Sequence, residues 1–129
     1  MTTLTQTWSE PKAESSRVKV AIVWTLQILS AAMFLFAGAS KFAGSAPMVQ
    51  AFAAIGLGQW FRYLTGTIEI VSAVLLLVPS LALFGSLALA VTMVGAIITH
   101  LFILGGNPAP AIFLLASTST IAWIKWSGR

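Results

Sequence analysis

Glu69 stands in the run Ile68-Glu69-Ile70-Val71-Ser72-Ala73-Val74-Leu75-Leu76-Leu77, and no other acidic residue follows position 14. A carboxylate in hydrocarbon costs roughly 2.5–3.5 kcal/mol on insertion scales, so such a residue is by default paired or functional. Its short side chain cannot reach water from that depth, whereas the longer stems of Lys41 and Arg62 can snorkel to the headgroups. Lys41 and His100 bring the complementary chemistry: hydrogen-bond donors for the oxygens of a neutral ligand, beside an acid able to carry a proton. The bland alternative is that Glu69 bonds a neighbour only to fix helix register, while His100 caps a carbonyl.

Elements able to position these groups are legible from apolar runs. Residues 1–19 are polar and are expected to form a flexible tail. An apolar segment from about 20 to 42 follows, long enough at 1.5 Å per residue to cross a hydrocarbon core of roughly 30 Å. Arg17 and Lys19 with Ala37-Gly38-Ala39 imitate a signal peptide, but the run exceeds the usual h-region of about 7–15 residues and reads as a span. Ser45-Ala46-Pro47 looks like a helix start, and Met48, Val49, Phe52 and Ile55 recur at helical spacing up to Gly56-Leu57-Gly58. This predicts a short amphipathic helix on the membrane surface. Further spans are expected at about 61–78, 81–104 and 108–126, punctuated by Pro79-Ser80, Gly105-Gly106 and Asn107-Pro108, with 127–129 as a short tail. The fold class is therefore all-α, a four-transmembrane-helix bundle with a short amphipathic helix between the first and second spans.

Lys12, Arg17, Lys19, Lys125 and Arg129 then share one side and only Lys41 and Arg62 the other, which places both termini in the cytoplasm and the chain in the cell (inner) membrane. Trp24, Trp123 and Trp126 mark the inner interface, Trp60 and Tyr63 the outer one. Glu69 falls about 12 Å below the outer start of its span and His100 about 6 Å below the outer end of the next. Polar and small faces support their convergence. Gln27, Ser30, Gly38 and Lys41 line one face; Arg62, Thr65, Gly66, Glu69 and Ser72 another; Thr92, Met93, Ala96 and His100 a third, with Thr99 beside it. Ser86/Ala90, Gly95/Thr99 and Ala116/Thr120 repeat the small-xxx-small spacing of close helix packing. The hydroxyl run Ser117-Thr118-Ser119-Thr120 reads as packing glue bonded to its own i−4 carbonyls.

Composition bounds the function classes. Of 129 residues, 58% are hydrophobic and 8% charged, far from the quarter or so charged in soluble domains. The net charge of +4 comes from scattered Lys and Arg with no stripe to track phosphates, which argues against nucleic acid. Cysteine is absent, which removes disulfides, thiol redox chemistry, iron–sulfur ligation and covalent haem attachment. A single histidine and the missing cysteines leave no set of zinc ligands, so no metal site is expected.

The strings Phe36-Ala37-Gly38-Ala39-Ser40-Lys41-Phe42, Phe52-Ala53-Ala54-Ile55-Gly56-Leu57, Arg62-Tyr63-Leu64-Thr65-Gly66-Thr67-Ile68-Glu69, Leu75-Leu76-Leu77-Val78-Pro79 and Met93-Val94-Gly95-Ala96-Ile97-Ile98-Thr99-His100-Leu101 follow in order. Together they resemble the DoxX-like family of small four-helix membrane proteins over roughly residues 20–126. The resemblance implies the same four spans. The family's namesake resembles a subunit of a thiosulfate:quinone oxidoreductase, so the resemblance also implies a quinone-linked accessory subunit. In that reading Lys41, Arg62, Glu69 and His100 are the binding or proton-handling residues, supported by Gln27, Ser30, Thr65, Ser72 and Thr99. A quinone is the ligand, no catalytic residue is assigned, and the partners are the lipid bilayer and membrane proteins or further copies of the chain. The alternatives are a membrane scaffold whose charges only fix helix register, and a small proton-coupled transporter in which Glu69 exchanges its proton for a cationic solute.

Overall fold

Uninterrupted apolar runs broken only by Gly, Pro and Asn favour helices joined by tight turns, and every regular element among the described residues is a helix. The computed structural model describes the backbone of residues 2–128 and the side chains of residues 15–128. Of the tail expected over residues 1–19, the side chains of 1–14 lie outside the described residues, as does Arg129 of the short tail at 127–129. Helix α1 spans Thr2–Ala43, α2 Ala46–Ile55, α3 Trp60–Leu76, α4 Ala82–Thr99 and α5 Ala109–Ser127.

The ends follow local chemistry. Helix α1 stops where Gly44 takes a φ of 68°, a conformation that only a residue without Cβ adopts cheaply. Ser45 occupies the N-cap position of α2 but makes no side-chain cap bond; Pro47 sits in the first turn, and the Gly56 N–H closes the end on the Phe52 carbonyl. Helix α3 tightens through Leu77 and Val78 before Pro79 ends it. Asn107 Oδ1 accepts the N–H of Ala109 at 3.0 Å and starts α5.

The expected span over 81–104 is not one uniform α-helix. Its last five residues, His100–Leu104, form a π-helical turn in which the Gly105 N–H reaches the His100 carbonyl at 2.9 Å. No hydrophobic period announces such a turn. It widens the helix where His100 projects, and turns of this kind recur at functional sites.

Helix α3 packs between α1 and α4, α4 packs on α5, and α1 returns to touch α5. The core joins Ala31 and Phe34 of α1, Ala73 and Leu76 of α3, Leu89 and Met93 of α4, and Ile121 of α5. Helix α2 rests on α3 and on the π-helical turn, burying Phe52 with its ring centroid 5.9 Å from that of Phe61.

Two segments, Ser15–Ala43 and Ala82–Leu104, are long and apolar enough to cross a membrane. Only 28% and 11% of the most apolar 18-residue stretch of each is buried inside the protein, so most of the apolar side chains there face outward. Phe36 and Phe102 are 77% and 80% exposed. Such an exterior suits lipid and penalises contact with water.

Candidate functional site

The site begins at a helix crossing made of two glycines. A Cβ added at Gly38 would stand 2.6 Å from Ile70 Cγ1 and 2.9 Å from the Gly66 carbonyl oxygen; one at Gly66 would stand 3.1 Å from the Gly38 carbonyl oxygen. Backbones this close bring the next turn of each helix together. Lys41 and Glu69 each lie three residues beyond their glycine, and their Nζ and Oε1 meet at 2.7 Å.

Glu69 is 1% exposed, and its second oxygen, Oε2, has no hydrogen-bond partner. An orphaned buried acceptor is costly, which makes it an informative atom. Lys41 keeps 13% of its side chain exposed and retains further N–H donors.

Lys41, Glu69 and His100 line one cavity of about 420 Å³, with Thr65 and Thr99 among its polar walls. Met48 and Phe52 of α2 and Met93 of α4 supply apolar wall, so α2 closes the cavity on one side. His100 Nδ1 lies 2.9 Å from the Ala96 carbonyl oxygen. A carbonyl only accepts, so Nδ1 carries a proton there, and Nε2 is an acceptor whenever the ring is neutral. The hydroxyls of Thr65, Thr92 and Thr99 donate to the carbonyls of Phe61, Ala88 and Gly95 on their own helices. What remains for a ligand is the unpartnered acceptor Glu69 Oε2, the second ring nitrogen of His100 and the spare donors of Lys41.

Arg62 takes a different place from the other charged candidates. It is 5% exposed, does not line the cavity, and donates to the Lys41 carbonyl, to Gln59 Oε1 at 2.8 Å and to the Tyr63 hydroxyl at 3.0 Å. Its guanidinium also lies 4.4 Å from the Tyr63 ring centroid. It therefore caps the Lys41 carbonyl near the end of α1 from a neighbouring helix and fixes the turn that carries Lys41.

The supporting face divides in the same way. Gln27 Nε2 donates to the Leu76 carbonyl at 2.7 Å and ties α1 to the end of α3, with Gln27 Oε1 left unpartnered. Ser30 and Ser117 share a hydrogen bond of 2.8 Å between α1 and α5, while Thr118 and Thr120 bond back to the Leu114 and Ala116 carbonyls. Ser72 is buried where α4 crosses α3; a Cβ on Gly85 would stand 2.6 Å from the Ser72 carbonyl oxygen. Gln27, Ser30 and Ser72 thus lie at contacts between helices outside the cavity. Gly95, expected to help helices pack with Thr99, has no atom within 4 Å of an added Cβ and borders the cavity instead.

Sequence reasoning passed over Gln59, the partner that orients Arg62, and Gly85, the contact between α3 and α4. Gly85 sits four residues before Leu89 on the face α4 turns to the core, a spacing that could have signalled it.

Residues 25–124 match the sequence profile of the DoxX-like family. A protein of Bacillus subtilis (strain 168) named "Putative oxidoreductase CatD" is 32% identical over 74 residues, which cover 57% of this chain and 55% of that relative. The match thus spans about half of the relative's length. No solved structure matches the chain significantly.

Proposed function

This chain belongs to the DoxX-like family, and from that premise we propose that it is a four-span protein of the cell membrane that binds the head of a lipid-soluble quinone for an oxidoreductase partner. Helices α1, α3, α4 and α5 are the spans, both termini face the cytoplasm, and the cavity opens within the outer half of the bilayer. One observation carries the reading: an apolar-walled cavity holds a buried carboxylate whose second oxygen has no partner.

Cavities of a few hundred Å³ with apolar walls and a few converging polar groups are the usual form of small-molecule sites. The free acceptors Glu69 Oε2 and His100 Nε2 suit the hydroxyl groups of the reduced quinol, and the spare Lys41 donors suit a carbonyl oxygen of the oxidised form. The quinone couple supplies two-electron, two-proton chemistry. Glu69 and His100 hold the protons at the cavity, and Arg62 keeps the Lys41 turn in place. With no cysteine in the chain, we place the electron-transferring centre on the partner. The relative's name as an oxidoreductase agrees with this class of chemistry.

Native mass spectrometry of the gently solubilised protein tests the proposal, because it weighs bound lipids, quinones and subunits together. Co-purifying quinone that is lost in Glu69→Gln supports it. Protein partners with no quinone in any preparation would favour a scaffold, and proton-coupled uptake of a cationic solute by reconstituted vesicles would favour a transporter.

A further inference from the structure

Helix α1 frames a second cavity well away from Lys41. It has a volume of about 590 Å³ and lies between residues 16–24 in the middle of α1, the Pro79-Ser80 turn and the end of α5. Lys19 of α1 and Lys125 of α5 both line it, with Ser16 and Ser80 as hydroxyl walls and Val23 and Trp24 as apolar ones.

Geometry brings the two lysines to one level. The Ser30–Ser117 hydrogen bond joins α1 and α5 side by side. From it, Lys19 lies about 16 Å back along α1 and Lys125 about 12 Å forward along α5, at 1.5 Å per residue. Two ammonium groups flanking one cavity repel unless an anion lies between them. Among the described side chains the only carboxylate is Glu69, which is paired with Lys41, and Lys41 is about 33 Å of helix away from Lys19. Lys125, in the last turn of α5, also offsets the partial negative charge of that helix end. Lys19 sits well inside α1 and has no such duty.

We infer that this cavity binds the phosphate headgroup of an anionic phospholipid. The lysines and hydroxyls hold the phosphate, Val23 and Trp24 lie against the upper acyl chains, and Trp24 sits at headgroup depth as interfacial aromatics do. Basic pockets between spans on the cytoplasmic side are suited to such heads. The inference rests on the membrane-spanning part of the proposal above and is independent of quinone binding.

Thermal unfolding in neutral detergent, with phosphatidylglycerol or phosphatidylcholine of the same acyl chains added, is the test. Phosphatidylglycerol should raise the midpoint by roughly 3 °C or more beyond phosphatidylcholine, by preferential binding to the folded state. The excess should fall by more than half in Lys19→Gln/Lys125→Gln and return in Lys19→Arg/Lys125→Arg. Should the double variant fail to fold, Lys19→Gln alone, at an exposed position, gives the same reading. Equal shifts from both lipids, or a full excess in the neutralised variants, would overturn the inference. So would an equal shift from glycerol 3-phosphate, which would make the ligand a soluble phosphate.

Discussion

Gly38 and Gly66 meet at the crossing of α1 and α3, and each lies one turn before a member of the buried Lys41–Glu69 pair. The absence of two side chains is thus what allows a lysine and a glutamate from different helices to approach to 2.7 Å. Gly38→Ala puts a Cβ 2.9 Å from the Gly66 carbonyl oxygen, a backbone atom that cannot swing aside. It should destabilise the protein by about 1–3 kcal/mol, as overpacking does. Gly95→Ala, with open space around the new methyl, should be neutral or slightly stabilising through helix propensity. Thermal midpoints in detergent compare the two, and equal effects would mean that the crossing tolerates a side chain.

Breaking the ion pair on one side should cost more than removing it whole. Glu69→Ala strands the Lys41 ammonium, at about 3–5 kcal/mol for a buried pair, and Glu69→Gln keeps a polar partner and should cost less. The combined change Lys41→Met/Glu69→Leu replaces the charges with apolar volume and should recover much of the loss. A thermodynamic cycle over these variants measures the coupling. Additive effects would show that the two charges do not depend on each other.

Arg62 should behave as a clamp and not as a ligand group. Arg62→Lys loses the fork that reaches Lys41, Gln59 and Tyr63 together and should cost about 2 kcal/mol in charge-assisted bonds. Amide hydrogen exchange at residues 41–44 should accelerate in this variant, with little change in α5. Unaltered exchange there would contradict the clamp.

The layout of helices was legible in the sequence because apolar runs and their Gly, Pro and Asn breaks are local signals. The ends of α3, α4 and α5 fall within a few residues of the expected boundaries. Lys41, Glu69 and His100 could also be singled out, since ionisable groups in apolar runs demand partners. What escaped depends on contacts between distant segments. Arg62 looked like an interfacial cation until Gln59 and the Lys41 carbonyl came within its reach, and nothing local in α2 showed that its apolar face closes a cavity. The π-helical turn and the tautomer of His100 depend on individual hydrogen bonds, which no periodicity encodes.

The orientation proposed for the spans makes a simple labelling prediction. Cysteines placed at Ser9 and Ser127 of this cysteine-free chain should react with an impermeant reagent only from the cytoplasm, and one at Ser45 only from outside. Reaction of Ser9 and Ser45 from the same side would exclude the four-span arrangement.

Calorimetric titration of a short-chain quinol into the detergent-solubilised protein, under reducing conditions, tests the central claim most directly. The wild type should bind, and Glu69→Gln and His100→Ala should each weaken binding by roughly tenfold, because a lost acceptor for a ligand hydroxyl costs about 1–3 kcal/mol. Gly95→Phe, which fills open space at the cavity, should abolish binding while the protein remains folded. Equal affinity in the wild type and all three variants would show that the quinol is only a hydrophobic additive, and would contradict the cavity as its site.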